Sequence, residues 1–191
     1  MRFGPGATHA PVVRDPARQV ALHGFIDRLD REAERGGFRV VDYKTGRPVA
    51  RRDDPRAVQL AVYLYAVTDG DPRRLADSEA RFVHVTRRGR FAVQQLTGTT
   101  LTAHRDDLQH FILAVAHGIA TGEFFPQPGE RGRNCQVCDY QSLCEAGVVQ
   151  QNERKTVAGQ DRGWRSLPDF AALLALLPGP VAVAAGEDED S

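Results

Sequence analysis

Between Arg39 and Pro48 the chain reads RVVDYKTGRP. Val40, Val41 and Tyr43 have the β-branched and aromatic character of a half-buried or buried strand, yet Asp42 and Lys44 stand among them. Side chains two apart on a strand share a face, so the acid and the lysine point the same way. An unpartnered buried charge is costly. The pair is therefore either a structural ion pair or the start of a polar site.

Neighbouring segments supply further polar groups. QVALHGFIDRLDRE (19–32) reads as a strand and GFRVVDYKT (37–45) as a second, with Gly36 and Gly37 in the turn between them. In such a hairpin Asp27 falls opposite or diagonal to Asp42, within about 8 Å. Two carboxylates that close repel unless a cation lies between them, and oxygen donors suit Mg²⁺ or Mn²⁺. A lysine beside such an ion orients an attacking water and stabilises developing negative charge. The competing reading is that Lys44 only neutralises Asp42.

RRDDPRAVQLAVYLYAVTDG (51–70) reads as a helix entering near Pro55. Leu60, Leu64 and Val67 form its apolar stripe, with Ala61 and Tyr65 beside it. Gln59 and Tyr63, four apart, stack on one helical face. They either fix a phosphate or support the polar site of the sheet, or else are a surface residue and a core residue.

ARFVHVTRRGRFAVQQL (80–96) alternates on both sides of Arg88 and Gly89 and predicts a second hairpin. Residues 100–123 predict one long helix, capped by Thr100 or Thr102 and ending near Gly122. Residues 1–18, rich in Gly, Pro and Ala, are expected to be a flexible lead-in, and 19–146 the domain proper. Beyond it, 147–191 reads as a linker, a short apolar helix at 166–179 and an acidic tail. The order of elements places the chain in the α/β class with a small mixed sheet.

Composition narrows the function classes. With 191 residues, 41% of them hydrophobic, the chain suits one core and is too apolar for general disorder. Lys+Arg and Asp+Glu are both 25, but 147–191 hold 7 acids and 4 bases, which leaves +3 on residues 1–146. That excess permits a polyanionic partner without demanding one. No run of about 18 apolar residues is present, and the N-terminus lacks the apolar core of a secretory signal. With three cysteines, two of them in a C-x-x-C, metal binding in a reducing cytoplasm fits better than a disulfide framework. Cys135, Cys138 and Cys144 have the spacing C-x₂-C-x₅-C, which suits zinc or an iron–sulfur cluster.

GFIDRLD, VVDYKTG and QLAVY, in this order and at these separations, resemble the RecB-type branch of the PD-(D/E)XK nucleases. AddB-like nuclease domains and stand-alone RecB-family exonucleases belong to that branch. The resemblance implies a restriction-endonuclease-like mixed central sheet flanked by helices, with a C-terminal cysteine loop. It makes Asp27, Asp42 and the backbone carbonyl of Tyr43 ligands of Mg²⁺ or Mn²⁺, Lys44 the catalytic lysine, and Gln59 and Tyr63 the Q-x-x-x-Y motif. It also implies a [4Fe–4S] cluster on Cys135, Cys138 and Cys144, just after the family-like run GEFFPQP (122–128), with zinc the alternative. The family's fourth cysteine, and a metal-binding histidine, come from N-terminal helices. Here the first expected strand begins by residue 20 and no fourth cysteine exists, so the missing donor is expected on a preceding segment or a partner subunit. A water or a histidine in its place is the alternative. His9 and His23 are read as solvated or packed residues, and His84, His104, His110 and His117 as surface or helix-face residues, none of them as a ligand.

The function implied is a Mg²⁺-dependent DNA exonuclease of recombination or repair, coupled to a helicase or not. Arg47, Arg51, Arg52, Arg87, Arg88 and Arg90 are candidates to follow the phosphate backbone. The alternatives are a non-catalytic nuclease-like module that binds DNA ends or a helicase, a truncated inactive fragment, and a zinc-stabilised binding protein.

Overall fold

The computed structural model describes residues 1–31, 36–48, 56–122, 132, 134–144, 173, 175–176 and 181–182. The N-terminal segment forms five short strands: β1 (Arg2–Phe3), β2 (Val12–Arg14), β3 (Gln19–Ala21), β4 (Gly24–Phe25) and β5 (Arg28–Arg31). β1 pairs antiparallel with β4, and β2 with β3. This corrects two expectations. Residues 1–18 are not loose, because Phe3 and Val13 are almost completely buried. Nor is 19–32 one strand, since its three pieces serve three different sheets.

The break has a steric cause at Gly24. A Cβ there would lie 2.7 Å from the Phe3 ring, so the missing side chain is the space that Phe3 fills. The Met1 ammonium also donates to the Ile26 carbonyl at 2.5 Å, and the His9 ring bonds the Ala66 carbonyl. Gly and Pro concealed the apolar pattern of this segment.

The central sheet adds β6 (Phe38–Lys44), β7 (Glu79–His84), β8 (Ala92–Thr97) and β9 (Val181–Ala182), in the order β5-β6-β7-β8-β9. The β6–β7 pair is parallel and the others are antiparallel. A parallel pair needs a crossover, supplied by α1 (Ala57–Thr68) and α2 (Pro72–Ala76). Both expected hairpins form, and the second closes through a 3₁₀ turn at Arg87–Gly89. The expected helix entry near Pro55 lies outside the described residues.

The expected helix at 100–123 is two: α3 (Gly98–Thr102) and α4 (Arg105–Thr121). The cap is Thr97, whose hydroxyl accepts from the Thr100 amide. At His104 the backbone leaves the helical region, with φ −118° and ψ 19°, and the chain restarts as α4. Gly122, at φ 75°, ends α4 in the left-handed conformation that glycine adopts freely.

Alternation on the strands decides what α1 covers. Val40 pairs with Ala80, Asp42 with Phe82 and Lys44 with His84. All six therefore share one sheet face, and α1 packs on β6 and β7. Its Val58, Leu60, Ala61, Tyr63, Leu64, Tyr65, Ala66 and Val67 are buried, so the helix is enclosed on nearly all sides rather than along one stripe.

Candidate active site

Asp42 sits in the middle of a buried strand with its side chain only 7% exposed, and Lys44 Nζ lies 2.7 Å from Asp42 Oδ1. The same ammonium donates to Gln59 Oε1 at 2.9 Å, and Gln59 Nε2 donates to the Tyr63 hydroxyl at 2.8 Å. Lysine can only donate, so the amide oxygen must face Lys44 and the amide nitrogen Tyr63. Burial first, then the Asp42 charge, raises the Tyr63 phenol above its ordinary value; Asp27 adds to the shift and Gln59 opposes it. Four side chains from one strand and one helix thus form a continuous polar path, with Lys44 also over the Phe82 ring at 4.8 Å.

Asp27 lies in the bend before β5, and the β5–β6 register that pairs Arg28 with Val41 brings it next to Asp42 when continued by one residue. Its Oδ2 accepts from the Tyr43 amide at 2.9 Å. In an extended strand a residue's N–H and C=O leave by the same edge, so the Tyr43 carbonyl points to the Asp27 side. Gln59 is half-buried rather than a surface residue. Tyr63 belongs to the core, at 9% exposure, while its hydroxyl ends the polar path.

A model of the PD-(D/E)XK nuclease superfamily matches residues 1–145. The chain belongs to that superfamily. No curated protein and no solved structure matches it. The mixed sheet flanked by helices is the restriction-endonuclease-like arrangement of these nucleases, which generally use divalent ions such as Mg²⁺. Asp27 and Asp42 with the Tyr43 carbonyl offer hard oxygen donors, the type that such ions prefer. Among the described residues no three His, Cys, Asp or Glu side chains gather around a common point.

The same observation covers the cysteines. Cys135, Cys138 and Cys144 lie on two consecutive 3₁₀ turns, the last two exposed, with free thiols. They are not gathered as a ligand set, and three thiolates are one short of the four that a cluster or structural zinc takes. The residues present do not by themselves fit either group.

Sequence reasoning missed His84. It is not a surface or helix residue but lies on β7, 2% exposed, directly across from Lys44. Its Nδ1 bonds the Gly46 carbonyl at 2.9 Å, while Nε2 is buried without a partner among the described residues. A carbonyl only accepts, so Nδ1 carries the proton. Its parity with Phe82 on an alternating strand gives its face, but not whether that end of the strand is covered. Next to it, Val85 N–H donates to the Lys44 carbonyl at 3.0 Å and the Thr86 hydroxyl to the Thr45 carbonyl at 2.9 Å. Three successive carbonyls at the end of β6 are thereby tied to the end of β7 and the two residues after it. His9 bonds the Ala66 carbonyl, the His23 ring meets Phe25 edge to face, and His104 pairs with Asp107. Among the candidate arginines, Arg47, Arg87, Arg88 and Arg90 are exposed, and Arg51 and Arg52 lie outside the described residues.

No helix among the described residues is long and apolar enough to cross a membrane.

Proposed function

We propose that the chain is a Mg²⁺-dependent DNA exonuclease domain of the RecB/AddB type, acting in recombination or repair, where such domains work with a helicase subunit. The observation that carries this reading is the Asp42–Lys44–Gln59–Tyr63 path beside Asp27. A structural ion pair would need only Asp42 and Lys44. Here a glutamine fixes the lysine from the far side, and a second carboxylate is brought to the same strand edge.

Asp27, Asp42 and the Tyr43 carbonyl would hold the divalent ion, whose chemistry is to polarise a phosphoryl oxygen and lower the pKa of a bound water. Lys44 has three N–H donors. Asp42 and Gln59 take two of them, and the third is left to orient the attacking water or the phosphate oxygen. Tyr63, held protonated by burial and by Asp42, keeps Gln59 in the orientation that accepts from Lys44. The [4Fe–4S] cluster of the RecB/AddB resemblance would need a fourth donor beyond Cys135, Cys138 and Cys144, and no step of hydrolysis depends on it.

The test is degradation of end-labelled linear DNA with Mg²⁺, and with EDTA as control. Asp42→Asn and Lys44→Ala are each expected to abolish cleavage while circular dichroism stays that of the parent. Cleavage retained in both variants would sink the reading. The non-catalytic alternative, a module that binds DNA ends or a helicase, predicts that wild-type protein binds DNA and never shortens it.

A further inference from the structure

The turn joining β7 to β8 combines three features that the hydrolytic site does not use. Arg90 and Phe91 both adopt the left-handed conformation, at φ 58° and 48°, where a residue with a Cβ is strained and a bulky one is a genuine outlier. Glycine or asparagine is the usual occupant of such hairpin positions. Packing of the ring does not explain the choice, since Phe91 is 52% exposed. Around it stand Arg87, Arg88 and Arg90, all exposed and none with an ion pair among the described residues.

The turn is also fixed against the active strand. Val85, Thr86 and His84 bind the Lys44, Thr45 and Gly46 carbonyls in turn. Gly89 fits so closely that a Cβ there would lie 2.6 Å from the His84 Cβ and 3.0 Å from the Gly46 carbonyl oxygen. Thr86 closes the turn by accepting from the Gly89 amide at 3.1 Å. An exposed aromatic ring and three cations, unpaired among the described residues, are thus held in fixed register with Lys44.

Resting on the nuclease reading above, we infer that the 86–91 turn is a single-strand grip: Phe91 stacks on an unpaired base while Arg87 and Arg88 bind the flanking phosphates. Single-strand sites are built from stacking rings beside a cationic track, and both parts are present here. Duplex DNA offers no unstacked base to the ring, so the turn favours a frayed or unwound end. The strain at Arg90 and Phe91 has its use in directing the ring outward.

The test is binding of labelled oligothymidylate to the full chain in EDTA, where no hydrolysis occurs, so a failure of the nuclease reading leaves this result interpretable. Phe91→Leu and Phe91→Gly are expected to raise Kd about tenfold, and Phe91→Trp to keep it. Arg87→Ala and Arg88→Ala are each expected to flatten the slope of log K against log salt by about 0.7. Glycine takes φ 48° without strain, so Phe91→Gly should hold or raise Tm. Wild-type affinity in the Leu and Gly variants would overturn the grip, as would an equal loss on duplex of the same length. A fall in Tm accompanying the loss in Phe91→Gly would make the ring structural, and would overturn it as well.

Discussion

At the scale of single residues, the polar path holds one lysine in a fixed direction. Asp42 neutralises it, Gln59 orients it, and Tyr63 fixes the glutamine. The phenol pays no charge penalty as long as it stays protonated, and burial with Asp42 beside it raises its pKa above the ordinary 10.0. The sign follows directly. A raised folded-state pKa means that its contribution to stability is complete below about pH 10 and is lost as pH climbs through the folded value. Urea midpoints should therefore fall across the alkaline range more steeply for the wild type than for Tyr63→Phe, which has no proton to lose. Equal slopes in the two proteins would mean that the hydroxyl is not in this polar environment. Asp27, Asp42, Lys44, Gln59 and Tyr63 were legible because their charge or polarity interrupts apolar periodicity at spacings that fix a face. His84 was not, because a histidine in an alternating strand reads the same whether the strand end is open or covered. Only the neighbouring strand and the Gly46 carbonyl decide that.

At the scale of elements, the periodicity of β6 and α1 was read correctly, while short pieces and the break within 100–123 were not. β6 and α1 hold together by their own patterns: seven residues of strand and twelve of helix leave little choice. The N-terminal strands are two to four residues each, too short for alternation to be visible, and they exist through tertiary contacts. Phe3 and Tyr63 meet edge to face, with centroids 6.3 Å apart. The first strand therefore supports the back of the very tyrosine that ends the polar path. Phe3→Ala should cost about 3–5 kcal/mol, the usual cost of deleting a buried phenylalanine, measured by urea unfolding. A loose lead-in would make the same change neutral. The division of α3 from α4 was hidden for a related reason: it depends on Thr97 capping through Thr100 and on a backbone change at His104, and the residues around the break are all tolerable within a helix.

At the scale of the whole molecule, the family match ends at residue 145 while the fold does not. β9 pairs Val181 with Val93 and Ala182 with Ala92 along the outer edge of β8, and Leu173 and Leu176 join the core cluster. The segment expected to be a linker, short helix and acidic tail thus contributes to the same sheet and the same core as the site. An uncovered strand edge is a template for pairing with other chains, and β8 alternates apolar and polar residues along its length. A chain ending after Cys144 loses both the edge cover and two buried leucines, at 1% and 9% exposure. Each is worth about 1.5–3 kcal/mol when buried, so the truncated chain should be less stable by about 3–6 kcal/mol and should self-associate. Urea unfolding measures the first effect and light scattering against concentration the second. The side chains of the polar path all lie before residue 64, so any nuclease activity should fall with the folded fraction and not vanish at temperatures where the truncated chain is still folded. A truncated protein as stable and as monodisperse as the full chain would show that the residues after 145 lie on the domain without holding it together.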